Sequence, residues 1–228
     1  MRPFLVAAML LFSSPLRLLA QEVGYIDTTD NLFRESTRTV RTFSGGCGGS
    51  PPSTQKPQPE VTVTLVSLDK SRYQVGEEVT FEIRVLNSGK ETIAVPWTPH
   101  RGDLEPSDPK APYRYRVGVV VLIFSDPEGL QFVLADTLYG SPRVPGSLRE
   151  LSPGQWFSVK GRKKIALYSG DWGKRGFADS GFVETKVSAF YRQDTGSYSP
   201  KNGGWVGEMC IPLPCRKANE VDVILERP

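Results

Sequence analysis

Histidine occurs once in this chain of 228 residues, at His100, and cysteine three times, at Cys47, Cys210 and Cys215. A single histidine leaves no multi-histidine metal site, and the cysteines are not in zinc-ligand spacing. A Ser-His-Asp triad would have to be built on His100, and no G-x-S-x-G nucleophile elbow is present. The expectation is therefore no catalytic residue, no metal and no cofactor, in a protein that is not an enzyme. An excess of one charge is also lacking, with 28 Lys and Arg against 25 Asp and Glu. Nucleic-acid binding needs a concentrated basic face, so it is not expected. After residue 20 no run is apolar enough to span a bilayer. Helical periodicity is missing too, and 22 Gly and 19 Pro suit a chain of many turns.

Residues 1–20 read as a secretory signal peptide. Arg2 supplies the positive start, Phe4 to Phe12 the apolar run, and Ala20 the residue before the cut. Leu18 is large for the position three before that cut. Loss of Arg2 and Arg17 leaves 26 basic against 25 acidic side chains. A secreted or periplasmic location follows. Residues 21–60 are polar and read as a mostly disordered segment, with one short strand near Thr39 to Phe43, ending in a Gly/Pro-rich linker.

Residues 61–228 carry the strand patterns. Val79, Phe81, Ile83 and Val85 alternate with Thr80, Glu82 and Arg84, the period of a strand with one buried face. Asn87-Ser88-Gly89-Lys90 is a hairpin turn, and Thr92 to Trp97 forms the next strand. Val117 to Phe124 is almost wholly apolar, as in a strand covered on both faces. Further strands are expected over Leu130 to Leu138, Trp156 to Leu167, Phe182 to Tyr191 and Glu220 to Glu226. The expected fold is all-β, an antiparallel β-sandwich of about eight strands with long loops at 98–115, 168–181 and 195–215.

Leu68, Lys70, Tyr73, Gly76, Glu77, Val79, Phe81, Ile83, Val85, Asn87 and Ile93 form a pattern that resembles the first three strands of bacterial immunoglobulin-like domains. Secreted domains related to the BsuPI-type proteinase inhibitor are similar. The resemblance covers about 40 residues, concerns strand patterning and implies an immunoglobulin-like sandwich. It carries over no site residue.

Candidate binding residues are Trp172, Tyr198 and Trp205, aromatics on the two late loops. Arg101 and Asp103, in an Arg-Gly-Asp tripeptide, add a charged pair on the 98–112 loop. Asp103, Glu105 and Asp108 offer oxygens to calcium but not in EF-hand spacing. Asp171, Asp179 and Glu184 are carboxylates that nothing selects as a hydrolytic pair. Cys210 and Cys215 bracket Ile-Pro-Leu-Pro and are the favoured disulfide in an exported chain. Cys47 is left over, and either partner remains open to it. The expected function is that of an exported, non-enzymatic binding or structural module of the cell envelope. Its partner would be a protein or glycan of that envelope. The alternatives are a protease-inhibitor-like or a carbohydrate-binding module.

Overall fold

A computed structural model describes residues 21–30, 38–40, 60–100, 113–129, 131–165, 181–199, 204–211 and 215–227. They form fourteen strands: β1 (Gln21–Asp27), β2 (Arg38–Val40), β3 (Val61–Leu68), β4 (Arg72–Gln74), β5 (Glu78–Asn87), β6 (Ile93–Pro96), β7 (Tyr113–Ser125), β8 (Gln131–Gly140), β9 (Leu148–Leu151), β10 (Gln155–Lys164), β11 (Phe182–Ser199), β12 (Gly204–Ile211), β13 (Cys215–Lys217) and β14 (Val221–Glu226). Among the described residues there is no helix, hence none long and apolar enough to cross a membrane.

Two sheets hold most of these strands. The smaller has the order β1-β10-β5-β3-β13. The larger has the order β2-β8-β7-β11-β14-β4, with β12 paired to β11, while β6 and β9 form a separate pair. The inward alternation of each sheet builds one core. Val63, Leu65, Phe81, Ile83, Val85, Phe157 and Val159 come from the smaller sheet. Val120, Leu122, Phe124, Phe132, Leu134, Val187, Tyr191 and Leu225 come from the larger. Ile93, Val95 and Leu151 of β6 and β9 join the same cluster. Along β5 the expected faces are found: Val79, Phe81, Ile83 and Val85 are buried, while Thr80 is exposed and Glu82 and Arg84 are half-buried. On β7, Val121 and Ile123 of the opposite face are buried as well as Val120, Leu122 and Phe124, so this strand is covered on both sides.

The conspicuous sequence pattern around residue 73 is structural. Tyr73 is buried, its hydroxyl donates to Asp69 Oδ1 at 2.7 Å and accepts from the Lys70 N–H at 3.0 Å. Asp69 Oδ1 also accepts from the Thr80 N–H at 2.9 Å. Glu77 Oε2 accepts from the Gln74 N–H at 2.8 Å, and Lys70 Nζ lies 3.2 Å from Glu77 Oε1. Gly76 supplies the positive φ of 101° that this turn requires. The Gln74 amide, and after it Lys70, hold the Glu77 carboxyl below the ordinary glutamate range. A depressed carboxyl contributes stability that is present above its unfolded value and lost as pH falls through its folded one. Glu77→Gln is accordingly expected to lower stability at neutral pH and leave acid stability less affected, which flattens the acid limb of the stability-versus-pH curve. Urea midpoints across the acid range check this; parallel curves for the two proteins would contradict it.

The structure corrects the sequence reading in several places. The sheets are mixed, not antiparallel: β1–β10, β13–β3 and β14–β4 are parallel pairs. Each of these pairs joins strands linked by long connections, which permit parallel entry where a tight hairpin does not. The described residues form fourteen strands, not about eight. Part of the segment expected to be disordered, 21–60, is strand: β1 pairs with β10 and buries Ile26. The loop expected at 195–215 is largely the β11–β12 hairpin, and β4 and β9 are strands that were not among those expected.

Candidate functional site

The solvent-facing side of the larger sheet carries a groove of about 590 Å³, within the range of ligand pockets. Three strands and a turn build it. On β11, Val183, Thr185 and Val187 face the core, so the alternation sends Glu184 and Lys186 to solvent. On β14, Val223 and Leu225 are buried and Asp222 is exposed. Arg72 of β4 borders one side, and the β7–β8 turn, with buried Asp126, walls the other. The register sets Glu184 opposite Ile224, and Lys186 between Asp222 and Ser125. The Thr185 hydroxyl donates to the Val223 carbonyl at 3.0 Å, tying the two central strands beneath the groove.

The groove's charge is biased. Asp126, Glu184, Glu220 and Asp222 line it against Arg72 and Lys186. Arg72 is already engaged by Glu226 and Glu220 by Lys217. The Lys217 ammonium holds Glu220 below its ordinary range. What faces solvent is acidic, with Lys186 among it. Among the described residues, no group of three or more His, Cys, Asp or Glu is placed to hold a metal ion.

A second feature lies at the far end of the same sheet. The backbone register sets Tyr113 opposite Tyr198, and Tyr198 opposite Trp205, a row of three aromatic positions across β7, β11 and β12. Tyr198 and Trp205 are thus hairpin residues brought together by strand pairing, not members of one long loop. Trp172, Arg101, Asp103 and Cys47 lie outside the described residues. Cys210 stands opposite Asp194 on β12, and Cys215 opposite Val61 on β13. Among the described residues no cysteine pair is at disulfide distance. His100 is exposed, and its backbone N–H donates to Thr98 Oγ1 at 3.2 Å.

On the outer face of the smaller sheet, aromatic rings are already partnered by cations. The Arg84 guanidinium lies 3.8 Å from the Trp156 ring centroid, and Lys160 Nζ lies 5.1 Å from that of Tyr25. Of the groove residues, the sequence singled out only Glu184. The others carry no motif, because pairing between strands distant in sequence brings them together.

No protein-family model matches the chain, and no curated protein does. Similar solved structures include the sporulation control protein Spo0M from Bacillus subtilis, at 13% identity and TM-score 0.28, covering 74% of this chain and 49% of that one. The Pseudomonas fluorescens alkylpurine DNA glycosylase AlkC is similar at 10% identity and TM-score 0.28, covering 68% and 31%. AvmM, which catalyses macrocyclization in alchivemycin A biosynthesis, is similar at 11% identity and TM-score 0.30, covering 76% and 91%. The chain therefore spans about half of the first and under a third of the second. At these scores the likenesses define no class; the strands of the described residues themselves show an all-β protein with mixed sheets.

Proposed function

We propose that this chain is an exported, non-enzymatic binding module of the cell envelope, and that the groove over β4, β14 and β11 receives a basic segment of a protein partner. The acidic bias of a groove of about 590 Å³, set on paired strands, carries this reading. Charge complementarity of this kind governs partner choice and association rate more than raw affinity. The test is calorimetric titration with an oligolysine peptide at low salt. Binding is expected, weakening as salt rises. The double variant Glu184→Lys/Asp222→Lys is expected to bind at least about tenfold more weakly, the effect of about 1.4 kcal/mol. Both positions are exposed, so the variant should keep its stability within about 0.5 kcal/mol per site. Equal affinity of variant and parent would overturn the assignment of the groove.

The row Tyr113–Tyr198–Trp205 favours a second reading, a carbohydrate-binding module. Aromatic residues are the type that stacks on pyranose rings, and the backbone register puts three of them at adjacent positions. Glycan-array binding lost in Trp205→Ala and retained in the groove variant would support this reading over the first.

A further inference from the structure

Among the described residues, the core holds a pair of charged side chains, Lys163 and Asp136, that the groove does not use. Asp136 follows Phe132 and Leu134 and precedes Leu138 on the inward face of β8, and all four are buried. Lys163 occupies the corresponding kind of position on β10, after Phe157, Val159 and Gly161 and before Ile165. The two side chains, 8% and 4% exposed, meet from opposite sheets with Lys163 Nζ 3.4 Å from Asp136 Oδ2. Their strand neighbours are apolar, since Lys163 pairs with Val79 and Asp136 with Val120.

The carboxylate of this ion pair is incompletely bonded. Asp136 Oδ1 accepts from the Thr137 N–H at 2.9 Å, but Oδ2 has no hydrogen-bond partner. A buried pair offsets the loss of hydration only when its geometry is good and its remaining polar atoms are bonded. Here a primary amine and a carboxyl are held in near contact, screened from bulk water, with that carboxyl oxygen unbonded. Holding an amine and a carboxyl side by side in this way raises their effective concentration over that of free partners.

We propose that Lys163 and Asp136 condense to an intramolecular amide that covalently joins the two sheets. The step is balanced without a co-reactant. One proton passes from the Lys163 ammonium to the Asp136 carboxylate, and the amine nitrogen attacks Cγ. The N–C bond forms, a second nitrogen proton moves to Oδ2, and that oxygen leaves as water. Two buried charges become one neutral amide. The location suits the chemistry: the cross-link ties β8 to β10, strands joined by no shared ladder.

Intact mass of the folded full chain, reduced to remove any disulfide contribution and held at neutral pH over days, tests the proposal. The expected mass is one water below that of the sequence. A digest should yield one branched peptide linking the β8 and β10 segments, with no tryptic cleavage after Lys163. Lys163→Met removes the nucleophile and should return the full sequence mass. The wild-type peptide map is decisive on its own, whether or not that variant folds. Full sequence mass with ordinary cleavage after Lys163 would overturn the proposal and leave an ion pair only.

Discussion

Phe81→Ala is expected to lower the unfolding free energy by about 3–5 kcal/mol, the usual cost of removing a buried aromatic ring. Phe81 is buried at the centre of β5, and the strand opposite is shaped around it. Its register partner is Gly161, where a Cβ would stand 2.3 Å from Phe81 Cζ. The ring occupies the space that any other residue at 161 would fill. Gly161→Ala should therefore cost about 1–3 kcal/mol by overpacking. In the Phe81→Ala background it should cost markedly less, because the atom it strikes has gone. Urea denaturation of the four proteins of this cycle measures the coupling. Additive costs would mean that ring and glycine do not constrain each other. The neighbouring Glu82 is half-buried on the outer face and accepts from the Ser158 hydroxyl at 2.9 Å. Its replacement by Ala should cost less than the loss of the Phe81 ring, about 1–2 kcal/mol for one hydrogen bond to a half-buried carboxylate. A larger loss at Glu82 than at Phe81 would invert the assigned faces.

The strands legible in the sequence were those whose side chains announce a buried face. β5 alternates cleanly, and the apolar run of β7 reflects burial on both sides. β3, β8, β10 and β14 were legible for the same reason. β12 was not, because Gly-Trp-Val-Gly-Glu-Met-Cys-Ile reads as a glycine-rich loop until β11 is seen to run on to Ser199 and pair with it. β13 and β4 are three residues long and held by parallel partners, so no local pattern marks them. The groove was illegible for a different reason. Exposed charges such as Arg72, Lys186 and Asp222 are ordinary on any strand's wet face, and only topology makes them neighbours. The Lys163–Asp136 pair was legible in principle. Each residue breaks an apolar period at an inward position, Phe132-Leu134-Asp136-Leu138 on one strand and Phe157-Val159-Gly161-Lys163 on the other. Two opposite charges on inward faces are a signal that they meet.

Removal of residues 21–30 is expected to destabilise the fold, although their composition suggests a dispensable tail. β1 is an edge strand, and its few apolar residues understate its role. Ile26 is 4% exposed, and truncation of a buried isoleucine alone costs about 2–5 kcal/mol. Thr28 caps the strand, its N–H and hydroxyl both donating to the Lys160 carbonyl at 2.8 and 2.9 Å. Arg149 lies with its guanidinium 4.2 Å from the Trp97 ring centroid and donates to the Val23 carbonyl at 2.6 Å. That arrangement joins β1 to the β6–β9 side of the core. Without β1, the β10 edge would present unpaired backbone groups and the apolar surface that Ile26 covers, which favours self-association. Chemical denaturation of the chain lacking residues 21–30 should show a lower midpoint. Ile26→Ala in the full chain should account for much of the loss. Addition of a peptide spanning residues 21–30 should restore part of the stability in proportion to its concentration, as expected for a ligand that binds only the folded state. An unchanged midpoint after the deletion would show that β1 rests on the sheet without supporting it.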